Sequence, residues 1–207
     1  MEIDFRRCEF LKGATELRQC PARGVPEVAF AGRSNAGKSS ALNRITGRRA
    51  LARASKTPGR TREINFFELA DGGRLVDLPG YGFARAPENT RRQWRKMMED
   101  YLAKRKDLQG LILLMDVRHP LTDFDQQMLE WSGAVDLPCH ILITKADKLS
   151  RGKAGNTLLD VRKRTRHQGG VTAQLFSATT GIGVEEAQAH ITAWLQPEAE
   201  PESLSDD

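Results

Sequence analysis

The fold of this chain is decided by one stretch, Gly32-Arg33-Ser34-Asn35-Ala36-Gly37-Lys38-Ser39, which matches the pattern Gly-x-x-x-x-Gly-Lys-Ser at every fixed position. In this pattern, glycines let backbone N–H groups point inward around an anion. The lysine reaches the β- and γ-phosphates of a nucleotide, and the serine hydroxyl binds Mg²⁺. Residues 28–31 predict a buried strand before the stretch, and residues 40–45 predict a helix whose N-terminus faces the phosphates. A phosphate-binding loop is therefore predicted in preference to a chance Gly-rich turn.

The charge distribution favours a polyanionic partner. The 207 residues have a formal net charge of +5, and residues 197–207 hold five acidic and no basic side chains, so residues 1–196 carry +10. Nucleic acid is the partner that such a field favours most, although nucleotide binding and solubility explain part of the charge. We expect one domain over residues 1–196, with an N-terminal strand and loop at 5–26, followed by an acidic, disordered tail at 197–207.

The cysteines and the absence of long apolar runs indicate the cell compartment. Cys8, Cys20 and Cys139 are odd in number and far apart, so neither a disulfide framework nor a zinc site is expected. The first residues lack the pattern of a signal peptide, and the longest apolar run, residues 111–115, is too short to span a bilayer. We therefore expect a soluble, cytoplasmic protein with no membrane partner.

Apolar runs alternate with helical patterns along the chain, which predicts a three-layer α/β fold. Asp71-Gly72-Gly73 joins two short runs as a hairpin, so one strand of the mostly parallel sheet should be antiparallel. Thr122 and Asp125 form a predicted capping box at a helix start. The predicted strands are 5–11 at an edge, 64–69, 74–78, 111–117, 139–144 and 173–177, and the later helices are 89–106, from 122, 150–167 and 184–195.

Asp77-Leu78-Pro79-Gly80 follows directly from a predicted strand. A carboxylate at that strand end can hold an Mg²⁺-bound water, and the glycine N–H can meet a γ-phosphate. The alternative is an ordinary β-turn, which the same residues would also form. Only the phosphate-binding loop elsewhere in the chain favours the first interpretation.

One segment predicts which nucleotide base the site binds, namely Thr144-Lys145-Ala146-Asp147. An ionised carboxylate accepts hydrogen bonds from both N1–H and the 2-amino group of guanine, a pair that adenine lacks. The lysine stem can cover the face of the base, and the strand end places both residues at the ligand-binding edge of an α/β sheet. A solvated Lys/Asp pair is the alternative. Phe176-Ser177-Ala178, at the end of the next strand, would present a backbone N–H to the guanine O6 atom.

Taken in order, these motifs resemble those of translation-factor-type P-loop GTPases with a Ras-like domain. The resemblance is closest to the EngB family of bacterial GTPases, also called YihA or YsxC, and runs from about residue 5 to 195. It rests on residues 29–40 and 77–82, and on Lys56-Thr57-Pro58-Gly59-Arg60-Thr61 followed by Ile64-Asn65-Phe66-Phe67. It implies a cytoplasmic GTPase that binds GTP or GDP with Mg²⁺, acts in large ribosomal subunit assembly, and is needed for cell division and septation.

The resemblance also assigns roles to single residues. It implies that Ser39 and Thr61 are the Mg²⁺ ligands, with Thr57 as the competing candidate for the second. It implies that Gly59, Arg60, Thr61, Arg62 and Glu63 form the first switch segment, and that Lys38 and Thr61 act in catalysis. Asn35 occupies a position that similar GTPases associate with a bound K⁺ near the β/γ bridge; its alternative role is a hydrogen bond within the loop. Arg60 could supply an arginine finger, but contact with phosphate or solvent is the simpler expectation.

Two basic segments could contact RNA. The helix 89–106 carries many cations with Trp94 and Tyr101 at helical spacing, and the alternative is a solvated helix whose aromatic residues pack inward. The helix 150–167 has a similar composition, and for it a solvated face is favoured. The expected partners are the large-subunit precursor and its ribosomal RNA, bound by a monomer.

Three functions remain open at this level. The first is a GTPase switch, and the second is an RNA-binding module in which GTP is mainly a docking ligand. The third is an ATP-using phosphotransferase, against which residues 144–147 argue. Tyr81 replaces the glutamine that orients water in Ras-like enzymes, so slow intrinsic hydrolysis is expected.

Overall fold

The computed structural model describes residues 3–52, 63–80 and 88–196. Most of the predicted first switch segment, Tyr81 and the acidic tail lie outside these ranges. Within them, no helix combines the length and apolar character that a membrane crossing requires.

Seven strands of the described ranges form one sheet, in the order β1-β3-β4-β2-β5-β6-β7. Strand β3 is antiparallel to both of its neighbours, β1 and β4, whereas β2, β4, β5, β6 and β7 are mutually parallel. The predicted fold class is therefore confirmed. The strands are β1 Cys8–Ala14, β2 Glu27–Gly32, β3 Ile64–Leu69, β4 Arg74–Asp77, β5 Leu108–Asp116, β6 Cys139–Thr144 and β7 Val171–Leu175.

Helices cover both faces of this sheet and complete three layers. Helices α2, α3 and α4 bury apolar side chains against one face, and α1 and α5 bury theirs against the other. The central strands β2 and β6 are buried at every position, as expected for parallel strands covered on both sides. The helices are α1 Lys38–Ile45, α2 Glu88–Lys104, α3 Asp123–Ala134, α4 Arg151–Thr165 and α5 Val184–Leu195.

The N-terminal strand is an edge strand, as predicted, but it starts later than its sequence pattern suggests. Residues Phe5–Arg7 form a 3₁₀ turn, because the Asp4 carboxylate accepts a hydrogen bond of 3.1 Å from the Arg6 N–H. Phe5 is buried by this turn rather than by strand pairing. The strand β1 therefore begins at Cys8. The capping box of Thr122 and Asp125 at the start of α3 is present as predicted.

A buried ion-pair network fixes α2 to the N-terminal end of β2. The Glu27 carboxylate, which is fully buried, accepts hydrogen bonds of 2.6 and 2.9 Å from Arg105 and 3.1 Å from Tyr101. Arg74 approaches the same carboxylate at 3.4 Å. Arg105 therefore cannot belong to a solvent-facing basic surface, although the sequence groups it with the other cations of this segment.

Candidate nucleotide-binding site

The phosphate-binding loop connects the C-terminal end of β2 to the first residue of α1. Gly37 adopts a φ of 93°, a left-handed conformation that glycine tolerates best, and it directly precedes α1 at Lys38. A Cβ atom on Gly32 would lie 3.0 Å from the Leu114 carbonyl oxygen, so a side chain there would push β2 away from β5. The structure therefore brings loop and helix N-terminus together in the arrangement that anion binding requires. Phosphate binding by residues 32–39 stays a prediction.

Lys38 and Asp77 face each other beside this loop and form an ion pair. Asp77 is the last residue of β4 and pairs in register with Phe30 of β2, so it lies at the same sheet edge as the loop. Both side chains are mostly buried, at 11% and 13% exposure. A Cβ atom on Gly80 would lie 3.7 Å from the Ser34 Cα atom, so the segment after Asp77 contacts the loop.

Asp77 and Ser39 offer oxygen ligands that fit Mg²⁺, which prefers carboxylate, hydroxyl and water oxygens. Ser39 is the second residue of α1 and directly follows Lys38, the partner of Asp77. The donor set is therefore compatible with a hard cation at the phosphate end of the site. Thr61, the second ligand implied by the resemblance, lies outside the described residues, as do Gly59, Arg60 and Arg62.

The Asp147 carboxylate is held in place at the other end of the site. Its Oδ1 atom accepts a hydrogen bond of 2.6 Å from the Ser177 hydroxyl, and Lys148 pairs with Oδ2 at 3.1 Å. These two contacts, Ser177 first, lower the pKa of Asp147 below its ordinary value. The carboxylate is therefore ionised at neutral pH, as acceptance of two guanine N–H groups requires.

Ser177 has a role that the sequence did not reveal. Its backbone N–H donates to the Ile182 carbonyl at 3.0 Å, so this group is already used within the protein. The N–H of Ala178 is therefore the better candidate for a hydrogen bond to O6. Phe176 is buried, and its N–H and carbonyl bond to Ile143 and Ala146. It supports the loop from within the core, as does the buried Leu78.

The base end and the phosphate end of the site are directly connected. The Thr144 hydroxyl lies 2.6 Å from the Ala36 carbonyl oxygen and 3.1 Å from that of Met115, so it joins β6 to the phosphate-binding loop. Lys145, which has a φ of 58°, donates from Nζ to the Asn35 carbonyl at 2.6 Å. Thr144 is thus a buried connector, and Lys145 holds the loop through the Asn35 carbonyl.

Asp116 is a site residue that the sequence analysis missed. Its carboxylate pairs with Lys145 at 3.0 Å and with Arg118 at 2.6 Å. Arg118 and then Lys145 hold its pKa well below the ordinary range, although burial opposes them. A signal was available, because Asp116 ends β5 beside Thr144 in register, and polar residues at strand ends of a parallel sheet line its ligand edge.

Three further predicted residues have distinct positions. Arg33 and Asn35 are exposed at the surface of the loop, where their side chains are accessible to a ligand. The Glu63 carboxylate lies beside Gly13 in the edge strand β1. A Cβ atom added to Gly13 would be only 2.8 Å from it. Strands β3 and β4 separate β1 from β2. The structure therefore does not place Glu63 with the residues of the phosphate-binding loop.

Comparisons with known proteins agree with this geometry. Residues 27–145 match the family model of the 50S ribosome-binding GTPases. Over 205 residues the chain is 50% identical to the probable GTP-binding protein EngB of Tolumonas auensis, covering 99% of this chain and 97% of that protein. A crystal structure of a probable GTP-binding protein EngB is similar in fold, with a TM-score of 0.68 at 22% identity, over 82% of this chain and 98% of that one.

The fold is also similar to that of Era in complex with MgGDPNP and a segment of 16S ribosomal RNA. The TM-score is 0.59 at 21% identity, over 87% of this chain and 59% of Era. This second likeness concerns the fold alone, whereas the identity to the Tolumonas auensis protein extends over nearly the whole of both chains. The chain therefore belongs to the EngB family of GTP-binding proteins.

Proposed function

We propose that this protein binds and hydrolyses GTP and acts as a nucleotide-dependent switch in assembly of the large ribosomal subunit. The observation that carries the proposal is the position of Asp147, which is ionised and held by Ser177 at the base end of a site whose phosphate end contains Lys38. An adenine ring offers no donor pair to that carboxylate, so GTP and GDP are the ligands that fit best.

Within this proposal, residues of the chain have separate tasks. Lys38 neutralises charge on the β- and γ-phosphates, and backbone N–H groups of residues 32–39 surround them. Ser39 and Thr61 are the proposed Mg²⁺ ligands, and Asp77 would hold a water of the metal. When bound, Mg²⁺ supplies positive charge that neutralises the phosphates. The exposed side chain of Asn35 is the proposed K⁺ ligand, and the bond from Lys145 to the Asn35 backbone carbonyl leaves that side chain available.

The ribosomal part of the proposal has two supports. The matched family is described as 50S ribosome-binding, and residues 1–196 carry the positive charge that RNA attracts. A cytoplasmic location and a requirement in cell division and septation are proposed with it, as the EngB resemblance implies. We propose that residues 1–196 act as one monomeric GTP-binding domain.

Co-sedimentation with purified large-subunit particles tests this function. The protein should pellet with the particles in a non-hydrolysable GTP analogue and stay in the supernatant in GDP, while small-subunit particles serve as the control. A parallel titration should give tight binding of GTP and GDP and none of ATP. Equal pelleting in both nucleotides would overturn the switch and leave the alternative, an RNA-binding module that uses GTP only for docking.

A further inference from the structure

Helix α2 presents a row of cations that have no ion-pair partner among residues 3–52, 63–80 and 88–196. Arg92, Arg95 and Lys96 follow the helical spacing i, i+3, i+4, so they share one face, and all three are exposed. None of them forms an ion pair with another residue in the described ranges. Two acidic residues lie one turn away: Glu88 before Arg92, which pairs with Arg91, and Glu99 after Arg95 and Lys96. We call Arg92, Arg95 and Lys96 the cation row.

Other cations of this helix, and Arg105 directly after it, have partners within the protein. Arg91 pairs with Glu88, Lys104 pairs with Asp100 at 2.6 Å, and Arg105 is buried against Glu27. These side chains therefore have a structural use within the part of the chain that the structure describes.

The basic helix α4 has a local explanation for most of its charge. Arg162 donates to the Ala173 carbonyl at 2.7 and 3.0 Å, and Arg164 approaches Asp160 at 3.8 Å. These residues lie in the last turns of α4, where cations stabilise the negative end of the helix dipole. The cation row lies in the first half and middle of α2, where the dipole gives cations no stabilisation.

Trp94 joins α2 to the nucleotide site. Its indole N–H donates to the Pro79 carbonyl at 3.2 Å, and its ring packs on Phe124 of α3 at 5.5 Å between centroids. Pro79 lies two residues after Asp77, the partner of Lys38. Because a bound γ-phosphate and Mg²⁺ would compete for both members of that ion pair, a shift of residues 77–80 would reach α2 through Trp94.

We propose that the cation row binds the phosphate backbone of structured RNA, and that the hydrogen bond from Trp94 to Pro79 makes this binding depend on the bound nucleotide. This inference rests on the proposed function and specifies its RNA-contacting surface. Exposed, unpaired arginine and lysine side chains on one helix face suit a polyanion, because each phosphate contact releases a counterion.

The surface is tested with the variant Arg92→Gln/Arg95→Gln/Lys96→Gln and RNA extracted from large subunits. The affinity of this variant for the RNA should be at least tenfold lower than that of the wild type. The slope of the logarithm of the RNA-binding constant against the logarithm of the salt concentration should decrease in magnitude by about 2 to 3, as expected for three lost phosphate contacts. The matched control is Lys153→Gln/Lys163→Gln/Arg166→Gln on α4, which removes the same charge from exposed positions. Equal losses in both variants, or no loss in the first, would overturn the assignment to α2.

The coupling is tested with Trp94→Phe, which retains an aromatic ring against Phe124 but removes the N–H donor. We expect RNA affinity in GDP to stay unchanged, while the ratio of affinities between a GTP analogue and GDP falls towards one. Trp131→Phe on α3 is the control and should keep the wild-type ratio. A wild-type ratio in Trp94→Phe would show that this hydrogen bond does not carry the signal.

The outcomes separate this inference from the proposed function. If the wild-type protein pellets with large subunits and the cation-row variant does so equally well, only the assigned surface is wrong. If the wild type binds neither particles nor RNA, the proposed function itself fails. If particles bind but extracted RNA does not compete, the row contacts an acidic protein surface and the RNA assignment is overturned.

Discussion

At the scale of single residues, two side chains form the candidate base-binding end of the site. Asp147 has the charge that guanine requires, and the Ser177 hydroxyl fixes its orientation and lowers its pKa. Because a lowered pKa keeps the acid ionised, guanine recognition should persist as pH falls through the normal aspartate range. It should be lost only below the ordinary pKa of about 3.9.

Asp147→Asn should move nucleotide preference from GTP towards xanthosine triphosphate. The amide can donate to the 2-oxo group of xanthine, whereas the carboxylate needs the 2-amino donor of guanine. Titration with fluorescent derivatives of both nucleotides measures the change. Asp160→Asn on the exposed side of α4 is the control. If the Asp147 variant retains wild-type GTP affinity and gains no xanthine nucleotide, this residue does not bind the base.

Asn35→Ala should remove stimulation of GTP hydrolysis by K⁺ while leaving GDP binding intact. The Asn35 backbone carbonyl accepts from Lys145, and the variant keeps this acceptor. Alanine is less favourable than asparagine at the φ of 67°, so GDP affinity serves as the check on the shape of the loop. Single-turnover rates in KCl and NaCl measure the effect, with the wild type expected to be faster in KCl. Equal wild-type rates in the two salts, or a variant that still distinguishes them, would contradict the K⁺ assignment.

At the scale of elements, the contacts between strands and helices carry buried polar groups. Glu27 at the start of β2 holds Arg105 beyond the end of α2, and His140 on β6 bonds to Thr172 at 2.6 Å and Gln174 at 2.7 Å on β7. Both groups are almost inaccessible to solvent, so their hydrogen-bond partners determine whether they stabilise or destabilise the fold.

Glu27→Gln should destabilise the fold by about 3 kcal/mol, because it removes the carboxylate that pairs with the buried Arg105 at 2.6 Å and leaves only Asp107, 3.6 Å away. Urea unfolding followed by Trp fluorescence measures the loss. Glu68→Gln is the control, since Glu68 is half exposed and lies 3.7 Å from Arg74. Equal unfolding midpoints for the two variants would show that the Glu27 network contributes no more than a surface ion pair.

His140 should make stability depend on pH between about 6.5 and 4. Burial lowers its pKa to about 4, and the stacked His190 ring, 3.8 Å away, and Arg162 act in the same direction, while the Gln174 hydrogen bond opposes them. As pH falls, His140 is therefore protonated in the unfolded chain before it is protonated in the folded protein. The free energy of unfolding keeps its full value above pH 6.5 and decreases below it. The upper limit of the loss is about 3 kcal/mol.

Thermal unfolding from pH 7.5 to 4.5 tests this dependence. His140→Gln should flatten the decline, whereas His167→Gln, at an exposed position, should leave it unchanged. Parallel curves for the wild type and the His140 variant would mean that another group causes the decline.

At the scale of the whole molecule, we expect the proposed switch to depend on an activator. The position that holds a water-orienting glutamine in Ras-like enzymes is Tyr81 here, so the chain lacks that group. We expect slow hydrolysis by the isolated protein and an increase of about 10³-fold or more with large-subunit particles. Phosphate release with and without particles measures this ratio, and small-subunit particles provide the control. A fast isolated enzyme that ignores particles would contradict the expectation.

The sequence by itself determined the fold class and the chemical character of the site. The phosphate-binding loop, the Asp77 and Asp147 segments and the alternation of strands and helices depend on short-range patterns, which a linear chain displays directly. The order of motifs along strand ends also predicted the ligand edge of the sheet, because parallel strands all end on one side.

Only the tertiary structure decided which polar groups meet. Ser177 bonds to Asp147 across 30 positions, Thr144 to Ala36 across 108, and Glu27 to Arg105 across 78. No local pattern encodes such pairs, since they arise when strands distant in sequence lie side by side in the sheet. The same reason explains why the cations of α2 look alike in the sequence but divide, after folding, into a buried Arg105 and an exposed cation row.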